Sequence, residues 1–395
     1  MVLNRKWLNR KCLFLGKTIG REISGFRNLH HGYSDEKHIL LFCQSKTMEE
    51  HLLNFMEQIE DDFRYRMYLY FGQNFININN TLFRNKNVAV IEKEWKLYFM
   101  RWDLVVCPDM DYPFWIKKGT IPVLYIGHGS GGISYDGGEH SYDYSDASLD
   151  SQGCPLFDIM LEPNKETAAK MKQDPIYGKI IRSAGYRFSA RIKEASLKKN
   201  DYRVQLGIPQ EKKVVSIWGS WNKDSLFHTL GMELFDVCKS LQEKGYIFIL
   251  SIHPKEYEQY NENIRPLGPI VEQQRENGFI VRSPEDDWLP YMMASDIILV
   301  DYSAMLSLAI LSGKKLILSN FPDERVWEKS MYYEVKHTFP VIDSAYELEE
   351  KLKKIEGDTS YNEKMQRFQD QLYVTREDYK KFVQNVVAEL TENKQ

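Results

Sequence analysis

No stretch of the 395-residue chain stays apolar for the roughly 20 residues a membrane-spanning helix requires, and the longest such runs, around residues 247–252 and 297–300, are far shorter. Positive charge is also lacking overall. Lys plus Arg number 52 against 56 Asp plus Glu, so no global field is available to hold nucleic acid. Cysteine is scarce and scattered (Cys12, Cys43, Cys107, Cys154, Cys238), with no CxxC spacing. That pattern argues against a disulfide framework or a structural zinc site and places the chain in the cytoplasm. There is no HExxH helix, no GxxxxGK[ST] loop and no GxSxG elbow, so metalloprotease, P-loop and α/β-hydrolase chemistry lose their support.

What the chain does have is apolar material for buried cores, with 43% hydrophobic and 27% charged residues. Residues 1–34 carry seven basic side chains (Arg5, Lys6, Arg10, Lys11, Lys17, Arg21, Arg27) against one acid, Glu22, interleaved with Trp7, Phe14 and other apolar residues. Such an arm suits the anionic inner face of a cell membrane, the plainer alternative being a solvated tail.

Beyond the arm, short apolar runs at residues 38–43, 65–71, 88–91, 103–107 and 122–126 alternate with polar or helical stretches. A glycine- and serine-rich break at 129–153 reads as a loop or flap. After a lysine-rich linker the pattern restarts, with strands expected at 213–218, 246–252, 278–281, 297–301 and 315–319 and helices at 225–244, 287–294 and 303–311. The alternation predicts two doubly wound α/β units of the Rossmann kind facing a central cleft. The expected division is a basic arm (1–36), an acceptor domain (37–190), a nucleotide-binding domain (191–344) and terminal helices packing back on the first domain (345–395).

Ligands of such sheets bind beyond the carboxyl ends of the strands, so residues just past each strand are the candidates. The run at 123–126 leads into Gly127-His128-Gly129-Ser130, where an imidazole can take a proton and glycine admits close approach. The run at 246–252 ends in His253-Pro254-Lys255, a histidine and a cation suited to phosphate oxygens. The run at 297–300 ends in Asp301-Tyr302-Ser303-Ala304, where small residues open a helix whose free amides suit an anion. Gly219 and Ser220, after the strand at 213–218, are further candidates for touching a diphosphate. Asp109-Met110-Asp111 has the spacing of a metal-binding acidic pair, but Pro108 and Pro113 mark an ordinary turn, and no metal is expected there.

From residue 182 to 320 the chain resembles the CDP-glycerol glycerophosphotransferases of teichoic-acid and surface-polymer synthesis. The likeness rests on Leu206-Gly-Ile-Pro209, His253-Pro254, Gly313-Lys-Lys-Leu-Ile317 and above all Ser295-Asp-Ile-Ile-Leu-Val-Asp-Tyr-Ser303. It implies a GT-B fold, CDP-glycerol or another nucleotide-diphosphate donor as substrate, no further cofactor, and a lipid-linked polymer acceptor at the membrane face. In that family a Trp-His-Gly-Thr-Pro segment supplies the base. Here Gly127-His128-Gly129-Ser130 keeps the His-Gly pair and lacks the Trp, Thr and Pro. The second family histidine matches His253, and the family's Asp-Tyr-Ser hydroxyl matches Ser303. Two other readings share the fold: a UDP-sugar glycosyltransferase or UDP-N-acetylglucosamine 2-epimerase-like enzyme, and a catalytically silent scaffold.

Overall fold

The computed structural model describes residues 20–22, 36–72, 81–113, 115–129, 132–134, 141–258 and 263–392. Residues 1–19 and 23–35 of the basic arm, together with Ser130 and Gly131, lie outside them, so the expected membrane contact of the arm does too.

The strands are almost uninterrupted runs of buried apolar residues, which cannot face water on either side and therefore form parallel sheets covered by helices on both faces. The first sheet has seven parallel strands, β1 (Lys37–Cys43), β2 (Tyr65–Phe71), β3 (Ala89–Val90), β4 (Leu104–Cys107), β5 (Val123–Tyr125), β6 (Ile159–Glu162) and β7 (Ile181–Ser183). Their order is β3-β2-β1-β4-β5-β6-β7. The second has β8 (Lys213–Gly219), β9 (Tyr246–Ile252), β10 (Ile280–Val281), β11 (Ile297–Val300), β12 (Lys315–Ser319) and β13 (Val341–Ile342), ordered β10-β9-β8-β11-β12-β13. In each sheet the strand order reverses beside the first strand, which opens a crevice at the carboxyl ends of β1 and β4 and of β8 and β11.

Alternate residues of β1 serve the two faces: Ile39 and Leu41 join one core, Leu40 and Phe42 the other. The terminal helices divide their packing. Helix Tyr361–Leu372 buries Met365, Phe368 and Leu372 in the core of the second sheet, whereas Arg376–Glu392 buries Tyr379, Val383, Val386 and Val387 against the first.

The two halves are also stitched together beyond β5. Ile133 forms an antiparallel bridge with Val326, Ser134 N–H donates to the Arg325 carbonyl (2.9 Å), and Trp327 N–H donates to the Gly132 carbonyl (3.1 Å). Trp327 in turn packs into a core of the first sheet beside Tyr144. Gly132 permits this crossing, because a Cβ there would stand 2.4 Å from the Tyr332 ring. The described part of the expected flap is therefore anchored, with Tyr144 and Ser148 buried in short 3-10 turns.

Candidate active site

Register decides which strand ends meet. Cys107 stands opposite Tyr125, so Pro108 and Ile126 leave the first sheet side by side, and Gly127, at φ +67°, turns the chain toward His128. His128 Nδ1 lies 3.1 Å from the Pro108 carbonyl oxygen. A carbonyl can only accept, so Nδ1 carries the hydrogen and Nε2 is left with a bare lone pair. This nitrogen is the basic one.

In the second sheet Gly219 stands opposite Ile252, which brings Ser220 and His253 out together. The Lys255 backbone N–H donates to His253 Nδ1 (3.1 Å). An amide N–H can only donate, so here Nδ1 is the acceptor and Nε2 carries the hydrogen. Burial holds the His253 pKa down at about 4, with the cations of Lys255 and Arg282 acting the same way against Glu256. Neutral His253 thus offers a hydrogen-bond donor without charge.

The two imidazoles come from opposite halves and lie within electrostatic reach of one another. The charge of His128 is near enough to lower the pKa of His253, and Gly129 faces the Ala304 side chain, a Cβ built there lying 3.6 Å from it. The Lys255 ammonium sits 3.8 Å from the centroid of Trp221, a cation–π contact that holds the charge beside His253.

Asp301 is fully buried, and its carboxylate is turned inward. It accepts from Ser220 N–H (2.6 Å), the Ser220 hydroxyl (2.8 Å) and Leu226 N–H (3.2 Å). It thereby locks the loop after β8 onto the end of β11. Both Ser220 donors are spent on Asp301, and Gly219 answers a packing need, since a Cβ there would meet the Phe227 ring at 2.4 Å. Removing the acceptor leaves buried N–H groups unpaired, so Asp301→Ala is expected to cost about 2–4 kcal/mol of stability, read as a lower urea midpoint. An unchanged midpoint would contradict this locking role.

Tyr302 is buried against Phe321, their ring centroids 4.8 Å apart. Ser303 differs: its hydroxyl is buried without a well-formed hydrogen bond, although it lies close enough to Asp301 to lower that carboxyl's proton affinity. The following helix, Met305–Ser312, begins two residues later than its sequence suggests, and Ala304 at its N-cap supplies no side-chain oxygen. This hydroxyl stands beside an uncapped helix start, an arrangement that suits a phosphate oxygen.

Asp109 accepts from Met110 N–H (2.8 Å) and the Tyr142 hydroxyl (3.2 Å). Among the described residues no group of three or more His, Cys, Asp or Glu side chains is placed to hold a metal ion. The spacing Gly127-x-Gly129-x-x-Gly132 fits the glycine fingerprint of dinucleotide-binding turns, but instead of opening a helix the described chain crosses to Val326.

Sequence reasoning missed His51 and Arg187, because nothing in their local pattern marks them. His51, on helix Glu49–Met56, is half-buried with its ring centroid 6.4 Å from that of His128, and lost hydration, Arg187 and His128 hold its pKa well below the usual value. Arg187 donates from Nη2 to the Ile126 carbonyl and has a buried Nη1 with no hydrogen-bond partner among the described residues.

The depressed His253 pKa has a thermodynamic consequence. The folded protein leaves this ring uncharged down to about pH 4, whereas an unfolded chain protonates it near 6.5, so the unfolded state binds more protons between those values. Stability therefore falls as pH drops through that window, by about 2 kcal/mol at pH 5 from this residue. Thermal melts should show a smaller loss between pH 7 and pH 5 for His253→Asn, whose side-chain oxygen still accepts from Lys255 N–H; an equal loss would contradict the assignment.

A family model described as CDP-Glycerol:Poly(glycerophosphate) glycerophosphotransferase matches residues 175–390, just over half of the chain. The matched span contains His253 and residues 301–304 but not His128. No curated protein sequence matches. Among solved structures, a variant of the wall teichoic acid polymerase TagF aligns over 100% of both chains at 13% identity with a TM-score of 0.65. A TagF variant soaked with CDPG for 30 minutes aligns over 99% of both chains at 14% identity and 0.65. The co-structure of S. aureus MnaA with UDP aligns over 91% of this chain and 98% of its own at 12% identity and 0.60. These likenesses show the GT-B fold that the two facing parallel sheets form.

Proposed function

Because the chain belongs to the CDP-glycerol:poly(glycerophosphate) glycerophosphotransferase family, an enzyme family whose donor is CDP-glycerol, we propose a division of labour across its cleft. The observation that carries this reading is the opposite tautomer of the two facing imidazoles. His128 Nε2 takes the proton of an acceptor hydroxyl, and the oxygen attacks the β-phosphorus of CDP-glycerol. The new phosphorus–oxygen bond forms as the bond from that phosphorus to the bridging oxygen breaks, and CMP departs with the electron pair. His253 Nε2–H, the Lys255 ammonium and the Ser303 hydroxyl with the amides after it hold the diphosphate and offset its growing charge. Asp301, Tyr302, Gly219 and Ser220 shape the pocket from behind, and Ala304 keeps its rim narrow against Gly129.

The acceptor is a hydroxyl of a lipid-linked surface polymer, and the enzyme works at the inner face of the membrane as a peripheral protein. Among the described residues no helix is long and apolar enough to cross a bilayer, and the basic composition of residues 1–34 suits an anionic surface. The test is incubation of the purified protein with radiolabelled CDP-glycerol and lipid-linked acceptors. Transfer of label with release of CMP is expected, and turnover of a UDP-sugar in its place would overturn the reading.

A further inference from the structure

Asp109, at the turn after β4, has no metal-binding group around it among the described residues, yet it stands beside the base. Its Oδ1 lies 3.9 Å from His128 Nδ1, the nitrogen that also faces the Pro108 carbonyl. Met110 N–H and the Tyr142 hydroxyl fix the carboxylate in that position. The side chains of His128 and Asp109 are 34% and 21% exposed, so water screens the pair only in part.

We propose that Asp109 is a positioning residue for glycerophosphoryl transfer, aiming the His128 ring and compensating the imidazolium that forms when Nε2 takes the acceptor proton. The inference rests on His128 being the base. Other groups face that ring from the surrounding elements: Asp143 from the turn Tyr142–Tyr144, His51 from helix Glu49–Met56 with Arg187 behind it, and His253 from beyond β9. None of them matches the placement of Asp109. Asp143 is half-buried, receives the Tyr125 hydroxyl at 2.5 Å, and is pushed toward its neutral form by lost hydration. His51, Arg187 and His253 carry no negative charge to offer.

Asp109→Asn is the discriminating variant, because its amide oxygen still accepts from Met110 and Tyr142 and only the charge is lost. The expected result is a fall in kcat of roughly 10- to 100-fold with the KM for CDP-glycerol within about twofold of wild type. Without the carboxylate the imidazolium is less stable, so the acid limb of the kcat/KM–pH profile should move to lower pH. Asp109→Glu should restore part of the rate. An unchanged rate, or a loss with an unmoved acid limb, overturns the proposal. If His128→Ala abolishes turnover while Asp109→Asn behaves like wild type, this inference alone fails. A His128→Ala enzyme that turns over normally removes the base and Asp109's role with it.

Discussion

Replacing His128 with alanine is expected to lower kcat by about 10²- to 10⁴-fold while CDP binds with nearly wild-type affinity. The separation of effects follows from the geometry. His128 hangs from the first sheet, and among the described residues its side-chain hydrogen bond is the contact with the Pro108 carbonyl through Nδ1. The groups assigned to the diphosphate, His253, Lys255 and Ser303, belong to the second sheet and keep their own supports. Loss of the imidazole therefore removes proton transfer and leaves the nucleotide side standing. Isothermal titration with CDP, set beside the turnover assay, checks both halves. Turnover preserved, or binding lost together with turnover, would place His128 elsewhere in the scheme.

His253→Ala should cost about 10²- to 10³-fold in kcat, the usual effect of deleting a hydrogen-bond donor aimed at developing charge. The choice of replacement then tests the tautomer. Asparagine keeps an acceptor near the Nδ1 position, so the turn at Pro254 survives but no donor reaches the cleft. Glutamine places an amide N–H near the Nε2 position and should recover more of the rate than asparagine. The reverse order would mean that the ring acts through its turn-holding nitrogen. Because the His253 pKa lies at about 4, no activity change near neutral pH should be traceable to its titration.

Periodicity made the long buried strands legible: β1, β2, β8, β9, β11 and β12 announce themselves as runs that are apolar on both faces. β7 (Ile181–Ser183) and β13 (Val341–Ile342) were not legible, since two or three residues at a sheet edge carry no period. The helix expected over 225–244 divides at Gly231, whose φ of +67° ends Leu226–Leu230 before Glu233–Glu243 begins. For the site, position after a strand placed His128, His253 and Ser303 just beyond the carboxyl ends of β5, β9 and β11. It could not show which way a side chain turns. Asp301 and Ser220 both follow strands, yet they bond to each other, because a buried carboxylate needs donors more urgently than the cleft does. His51 and Arg187 reach His128 only through packing between distant segments, and no spacing along the chain encodes that approach. The stitch of Ile133 to Val326 is equally non-local.

The central claim is that two histidines in opposite tautomers face one cleft. Two-dimensional ¹⁵N NMR of histidine side chains at pH 7, with the two rings assigned by their variants, reads the tautomers directly. The account predicts His128 protonated on Nδ1, His253 protonated on Nε2, and both sets of resonances shifting when CDP-glycerol is added. The same tautomer at both positions, or shifts confined to one ring, would contradict it.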